Sequence, residues 1–274
     1  MKQINKSQNE LGLRILTIFA GIFFLIPGIF KVLFPSDFKV FLQGFPEFIV
    51  SLGILGFLFW VVTFLQIVGG ISLISGFKSR IFAIPFSIIS IVALLTVAIT
   101  DTESSIQLIS ILSHIFGAIL YFGLFFTGNS KTKSLDKGND YLDNIISKNK
   151  RIGNALIRIS VGFFFTVAGA LHLIFISGYS EFVGQAIGLT GIIGFLAGLF
   201  AALLELVGGL ALLTGKKYKL FLPYLVVLTL TGLFTVVIGD SSKIGLINIL
   251  FHVLIIGTLT SLNFLDSTKL FSKK

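Results

Sequence analysis

Residues 191–215 read GIIGFLAGLFAALLELVGGLALLTG, and Glu205 is the only ionisable side chain in this stretch. A helix needs about 20 apolar residues to cross the roughly 30 Å hydrocarbon core of a bilayer. The stretch is long enough to do so, and it lacks the polar–apolar alternation of a membrane β-barrel strand. It therefore predicts a transmembrane helix with one carboxyl group near its middle.

The composition of the 274-residue chain agrees with a membrane protein. It is 55% hydrophobic and 12% charged, with a mean hydropathy of +1.01, whereas soluble domains carry about 25% charged residues. The net charge of +9 does not indicate nucleic acid binding, because the lysines lie in short segments between apolar runs. The absence of cysteine excludes disulfides, thiolate metal sites and a CxxC redox pair.

Seven further stretches have a comparable length and polarity, so we expect an all-α integral membrane protein with eight transmembrane helices. The first run is longer than the apolar part of a signal peptide and is interpreted as a span. Most basic residues fall on one side of these spans, which places both termini in the cytoplasm of a bacterium with an inner membrane. The predicted spans are 13–34, 52–76, 80–100, 105–127, 155–176, 191–214, 219–239 and 244–263.

The two halves of the chain align with each other at a nearly constant offset of 138 to 141 residues, which indicates an internal duplication. The aligned pairs include Gly21 with Gly162, Gly28 with Gly169, Lys31 with His172, Phe38 with Tyr179, Gln66 with Glu205, Asp101 with Asp240, and His114 with His252. Four spans per half, an even number, make the repeats parallel four-helix bundles rather than inverted ones. The predicted domains are residues 1–130, a polar cytoplasmic linker at 131–154, and residues 155–274.

Three patterns together resemble a known family. A first span ends in Gly-x-x-Lys at 28–31, the stretch at 205–215 has the form Glu-x-x-Gly-Gly-x-x-Leu-Leu-x-Gly, and Gly128 leads to Ser-Leu-Asp at 134–136. These patterns are similar to the DoxX-like family of four-span membrane proteins, which includes DoxX, DoxD and MauE types. The first half departs from the family pattern at Gln66, where glutamate is expected, and the second half departs at His172, where lysine is expected.

The resemblance implies a membrane subunit of quinone-linked redox or sulfur metabolism, with quinone as the small-molecule partner, no covalently bound cofactor and a protein partner in a membrane complex. One alternative is a non-enzymatic membrane chaperone, scaffold or cargo-binding protein. A second alternative is a small-solute transporter. None of these functions follows from family membership alone, because one fold hosts many chemistries.

Glu205, His252 and His114 are the candidate catalytic residues. A charge at the bilayer centre costs roughly 2.5–3.5 kcal/mol on insertion scales, so Glu205 must face a partner inside the bundle. His252 lies at a similar depth and is the expected partner in proton handling, with His114 beside Gln66 in the first half. A purely structural hydrogen bond between helices remains an equal alternative for Glu205, because Gln66 can make that bond but cannot titrate.

Five other polar residues are candidate binding residues together with Gln66. Asn248 lies one turn before His252, on the same helix face. Lys31 and His172 end the first span of each half, where lysine either snorkels to the interface or attracts an anion. Asp101 and Asp240 open the turn before the last span of each half and either cap that helix or contact substrate. Arg158 is interpreted as an interface anchor.

Overall fold

The computed structural model describes residues 6–37, 50–51, 53–77, 79–100, 105–127, 149–239 and 243–265. Most of the predicted linker, together with Asp101 and Asp240, lies outside these residues. Nine α-helices and no strand are found within them. The helices are α1 Lys6–Leu33, α2 Leu55–Ser75, α3 Ser79–Thr100, α4 Ser105–Thr127, α5 Lys150–Ile174, α6 Ile176–Ala186, α7 Gly191–Thr214, α8 Leu222–Gly239 and α9 Lys243–Leu262.

Seven of the described helices are long and apolar enough to cross a membrane, which confirms an all-helical integral membrane protein. They are all the helices except α6 and α8. Helix α8 has 18 residues, and its side chains are described over the apolar part Leu222–Thr235. The segment predicted as one span at 219–239 begins instead with a 3-10 turn, Tyr218–Leu220, before the helix starts. Pro223 lies in the first turn of α8, where proline removes no hydrogen bond of the helix.

Helix α6 has no counterpart among the predicted spans. Its sequence, ISGYSEFVGQA, mixes apolar and polar residues over only 11 positions, too few to span a bilayer. It follows α5 after the single residue Phe175 and packs closely on α7. The contact is tight because a Cβ atom placed on Gly198 would lie 2.4 Å from the Cα atom of Ser180.

Glycines set the closest helix crossings within each half. A Cβ atom on Gly21 of α1 would lie 2.6 Å from the carbonyl oxygen of Gly70 on α2. A Cβ atom on Gly209 of α7 would lie 2.4 Å from the backbone nitrogen of Thr166 on α5. Membrane helices approach each other this closely only through small residues. The pairs α1–α2 and α5–α7 are therefore packed backbone against backbone.

The contacts between the two halves are reciprocal. Helix α1 packs on α9, and α5 packs on α4. Gly12 of α1 faces the carbonyl of Ser261, and Gly153 of α5 faces the carbonyl of Gly123. Between the halves, the rings of Phe116, Phe164 and Phe251 contact one another with centroids 5.3–6.1 Å apart. The interface between the halves is therefore apolar and aromatic at its centre.

Arg158 is a buried residue rather than the exposed interface anchor that the sequence predicted. Only 4% of its surface is exposed. Its guanidinium donates to the carbonyl oxygens of Leu212 and Leu213 and lies 5.9 Å from the Tyr218 ring centroid. The last carbonyl groups of a helix lack partners within the helix, and a buried cation can satisfy them. Arg158 thus ties the end of α7 to α5.

Gly169→Ala tests the glycine crossings. The added Cβ atom would lie 2.4 Å from the Leu206 backbone nitrogen, so α5 and α7 must separate. We expect a loss of about 1–3 kcal/mol of stability, measured as a lower Tm by circular dichroism in detergent. Gly178→Ala is the matched control, because a Cβ atom there meets nothing within 4 Å. Equal Tm values for the two variants would contradict the crossing as described.

Candidate functional site

Glu205 lies in the middle of α7 and is only 8% exposed. Its carboxylate oxygen Oε2 is 2.6 Å from Nδ1 of His172 on α5. The two side chains meet because α5 and α7 touch at Gly169, which is three residues before His172 and beside Leu206. The close backbone crossing therefore brings a helix-end histidine to a mid-helix carboxylate.

Tyr179 of α6 completes this group. Its hydroxyl donates to Oε1 of Glu205 over 3.3 Å. Its ring also stacks on the His172 imidazole, with centroids 3.7 Å apart and planes 4° from parallel. Helix α6 starts directly after α5, and the chain folds back at this point. The imidazole of His172 and the phenol ring of Tyr179 therefore both face α7. We call Glu205, His172 and Tyr179 the Glu205 cluster.

The geometry of the Glu205 cluster would allow a proton to be exchanged at His172. When Glu205 is ionised, both its oxygens accept hydrogen bonds, one from His172 Nδ1–H and one from the Tyr179 hydroxyl. A carboxylate bound to one imidazole nitrogen fixes the tautomer and the orientation of the ring. The His172 side chain is 30% exposed. Its Nε2 atom is thus the part of the cluster suited to exchange a proton with a ligand.

Tyr179 serves as a permanent hydrogen-bond donor. Burial, and secondarily the neighbouring Glu205 carboxylate, raise the pKa of the Tyr179 phenol well above its ordinary value. The phenol therefore keeps its proton throughout the physiological pH range. It can hold Glu205 and His172 in place in every protonation state of that pair.

The first half carries a matched pair with different chemistry. Lys31 of α1 donates from Nζ to Oε1 of Gln66 on α2 over 2.9 Å. The Nζ atom also lies 5.9 Å from the centroid of the Phe59 ring. Lys31 and Gln66, which we call the Lys31 pair, join the same two helices of their half as His172 and Glu205 do. The ammonium thus turns inward to Gln66 instead of extending away from the bundle.

The other two candidate histidines bind backbone. His114 Nδ1 lies 2.7 Å from the carbonyl oxygen of Ser110, and His252 Nδ1 lies 2.7 Å from that of Asn248. A carbonyl oxygen only accepts, so Nδ1 carries the proton in both rings. His252 also packs on α8, where a Cβ atom on Gly232 would lie 2.9 Å from Nε2.

The structure therefore corrects the pairings that the sequence suggested. Glu205 bonds to His172 and not to His252, and Gln66 bonds to Lys31 and not to His114. Asn248 contributes its backbone carbonyl. Sequence analysis also missed Tyr179. The available signal was its alignment with Phe38, because the two aromatic residues at this position of the predicted repeat differ by a hydroxyl.

Two further features bear on ligands. Within the described ranges, no group of three or more His, Cys, Asp or Glu side chains could hold a metal ion. A pocket of about 320 Å³ lies between α6 and the first turns of α7, lined by residues that include Ser180, Glu181, Gln185 and Phe195. The Glu205 cluster does not line this pocket. The pocket and the cluster are thus separate features on the two faces of α6.

Comparison with known proteins yields one match. The DoxX family model matches residues 12–99, which contain most of α1, all of α2 and nearly all of α3. The matched part includes the Lys31 pair and ends before α4. No curated protein and no solved structure matches the sequence significantly.

A tyrosinate titration tests the environment of Tyr179. Because its pKa is raised, Tyr179→Phe should leave the ultraviolet tyrosinate signal of the folded protein unchanged through about pH 10, where free tyrosine is half ionised. In the unfolded protein the same substitution should remove one of five tyrosine signals. A smaller folded-state signal near pH 10 in the variant would show that the phenol is not held protonated.

Proposed function

We propose that this DoxX-like integral membrane protein, with its DoxX domain at residues 12–99 and its seven apolar helices, handles protons in a quinone-linked redox complex. The observation that carries the proposal is the Glu205 cluster. It combines a buried carboxylate, an oriented imidazole and a permanent phenol donor. The proposal keeps Glu205 as the central residue and gives the role of its partner to His172.

Quinone chemistry fits the components of the cluster. Reduction of a quinone consumes two electrons and two protons and yields the quinol. His172 Nε2–H donates the two protons to the quinone oxygens in two successive transfers and is reprotonated from water after each, while Glu205 stabilises the imidazolium before transfer. A positioned acid of this kind contributes about 10²–10⁴-fold to a rate. The electrons come from a reduced sulfur compound, oxidised by a partner subunit of the complex.

The charge at Glu205 also argues against a purely structural role. An ionised side chain near the bilayer centre costs roughly 2.5–3.5 kcal/mol on insertion scales. Gln66 joins α1 to α2 through a hydrogen bond of its own without carrying a charge. An amide is therefore sufficient to join the two helices. The property that a carboxylate has and an amide lacks is that it can accept a proton.

The proposed arrangement in the membrane has eight spans, with α8 as the seventh along the chain. The two halves then enter the bilayer with the same orientation, and both termini lie in the cytoplasm of a bacterium's inner membrane. The reciprocal contacts support this parallel arrangement. Gly12 meets Ser261 as Gly153 meets Gly123, which is the pattern that a two-fold relation between the halves produces, and four spans in each half would make that relation parallel.

A non-enzymatic scaffold or chaperone is the second candidate. It is favoured by the Lys31 pair, which has the same position as His172 and Glu205 but contains no proton-accepting carboxylate. In that case both pairs serve to join helices. A purified preparation separates the two candidates. Bound quinone supports the redox role, whereas a stoichiometric polypeptide partner without quinone supports the scaffold.

Glu205→Gln tests the proton-handling role. The amide keeps a hydrogen-bond acceptor for His172, as Gln66 does for Lys31, so we expect the fold to persist. Quinone-linked turnover in membranes that contain the native partners should fall by about 10²-fold. Glu181→Gln is the control, since Glu181 is exposed and lies outside the cluster. Purified Glu205→Gln protein with full quinone-linked activity would refute the role.

Single cysteines test the orientation, because the natural chain has none. Lys274→Cys should react with an impermeant maleimide only after intact cells are permeabilised. Gln185→Cys, at an exposed position on α6, should react in intact cells because α6 follows the first span of the second half. Reversed labelling of the two variants would show the opposite orientation.

A further inference from the structure

The Lys31 pair and its counterpart in the second half differ in charge. His172 faces a carboxylate that can balance a positive charge on its ring. Lys31 faces only the neutral amide of Gln66. The two pairs occupy aligned positions and join aligned helices. The first half therefore holds a cation, Lys31, whose partner is a neutral amide. At the aligned position in the second half, His172 has a carboxylate partner, Glu205, that can act as its counter-ion.

The partners of Lys31 leave most of its hydrogen-bonding capacity unused. An ammonium group has three N–H donors, and Gln66 Oε1 accepts one of them. The Phe59 ring lies beside Nζ and offers no counter-charge. In the part of the chain that the structure describes, no carboxylate pairs with Lys31. A charge away from bulk water is strongly disfavoured unless it is paired.

Gln66 adds donors that point to the same kind of ligand. Because its Oε1 atom accepts from Lys31, the Nε2 group keeps two N–H donors. Gln66 is only 7% exposed, so few water molecules can reach its amide. An ammonium and an amide NH₂ side by side are complementary to an oxyanion, which accepts several hydrogen bonds at once.

The position of Lys31 makes the site reachable. Lys31 lies two residues before the end of α1 at Leu33 and is half-buried. Its neighbours Phe30 and Val32 are 42% and 48% exposed, so this part of α1 faces lipid. A phosphate group at the lipid headgroup level or an ion from the adjacent water can both approach Nζ here.

We propose that Lys31 and Gln66 form a binding site for an oxyanion group, supplied by an anionic lipid headgroup or by a free oxyanion. The oxyanion accepts from Lys31 Nζ–H and Gln66 Nε2–H, and its charge balances the ammonium. In the second half, Glu205 takes the place of the ligand and supplies the negative charge itself. This site does not depend on the quinone role of the Glu205 cluster.

Three variants of the full chain test the site. Lys31→Met removes the cation. Gln66→Glu keeps the cation but supplies an internal counter-ion, as in the second half. The double variant His172→Lys with Glu205→Gln copies the Lys31 pair into the second half. Lys31→Arg is the control that keeps both charge and donors.

Two probes distinguish the sources of the oxyanion. Sulfate is titrated by calorimetry into the detergent-purified, delipidated protein at constant ionic strength. Phosphatidylglycerol retention is measured by native mass spectrometry, with zwitterionic phosphatidylcholine as the control lipid. Sulfate binding indicates a free-oxyanion site, and retention of phosphatidylglycerol without sulfate binding indicates a lipid site.

We expect one of these probes to bind the natural chain and the Lys31→Arg control. Binding should weaken about tenfold or more in Lys31→Met and in Gln66→Glu, since each loses a charge-assisted interaction. The double variant should bind a second equivalent. The proposal is overturned if neither probe binds, if Gln66→Glu binds as tightly as the natural chain, or if the double variant keeps a stoichiometry of one.

Discussion

A bilayer core gives no water to polar groups, so a polar side chain within a span must find its partner inside the bundle, on its own helix or on another. In this protein that requirement is met where two helices cross at glycine. Gly169 lets α5 touch the backbone of α7, and His172 then reaches Glu205. Gly28 similarly faces Ile67 and Gln66 of α2, and Lys31 then reaches Gln66. The polar chemistry of the molecule depends on these backbone contacts.

The two crossings hold side chains at aligned positions of the predicted repeat, but the side chains differ in chemistry. In the second half, a carboxylate and an imidazole form a group that can exchange a proton, and Tyr179 holds that group in place. In the first half, an ammonium and an amide form a positively charged group. The same kind of helix crossing thus holds a group with a carboxylate in one half and a group with a free positive charge in the other. For this reason we assign the quinone proposal to the second half and the oxyanion proposal to the first.

The candidate site could be predicted in part. A carboxylate within an apolar run demands a partner whatever the fold, so Glu205 could be identified from residues 191–215 alone. Its partner could not, because counting residues along a helix gives depth but not the direction in which a side chain points. By its depth in the membrane alone, His252 was as suitable a partner for Glu205 as His172. Tyr179 was missed because α6 is too short for a span, and its return over α7 depends on the bend at Phe175 and the close approach at Gly198.

The amino-acid sequence by itself determined the membrane environment and the helical class, and it predicted an internal repeat. These properties depend on local composition and spacing, and the bilayer imposes them on any chain of this polarity. Only the tertiary structure decided that Arg158 caps α7 instead of anchoring at the interface, and which residues meet Glu205 and Gln66. Those features depend on the rotation of each helix about its axis and on backbone distances of a few ångströms between segments that are remote in the chain. Neither quantity can be deduced from the order of the residues.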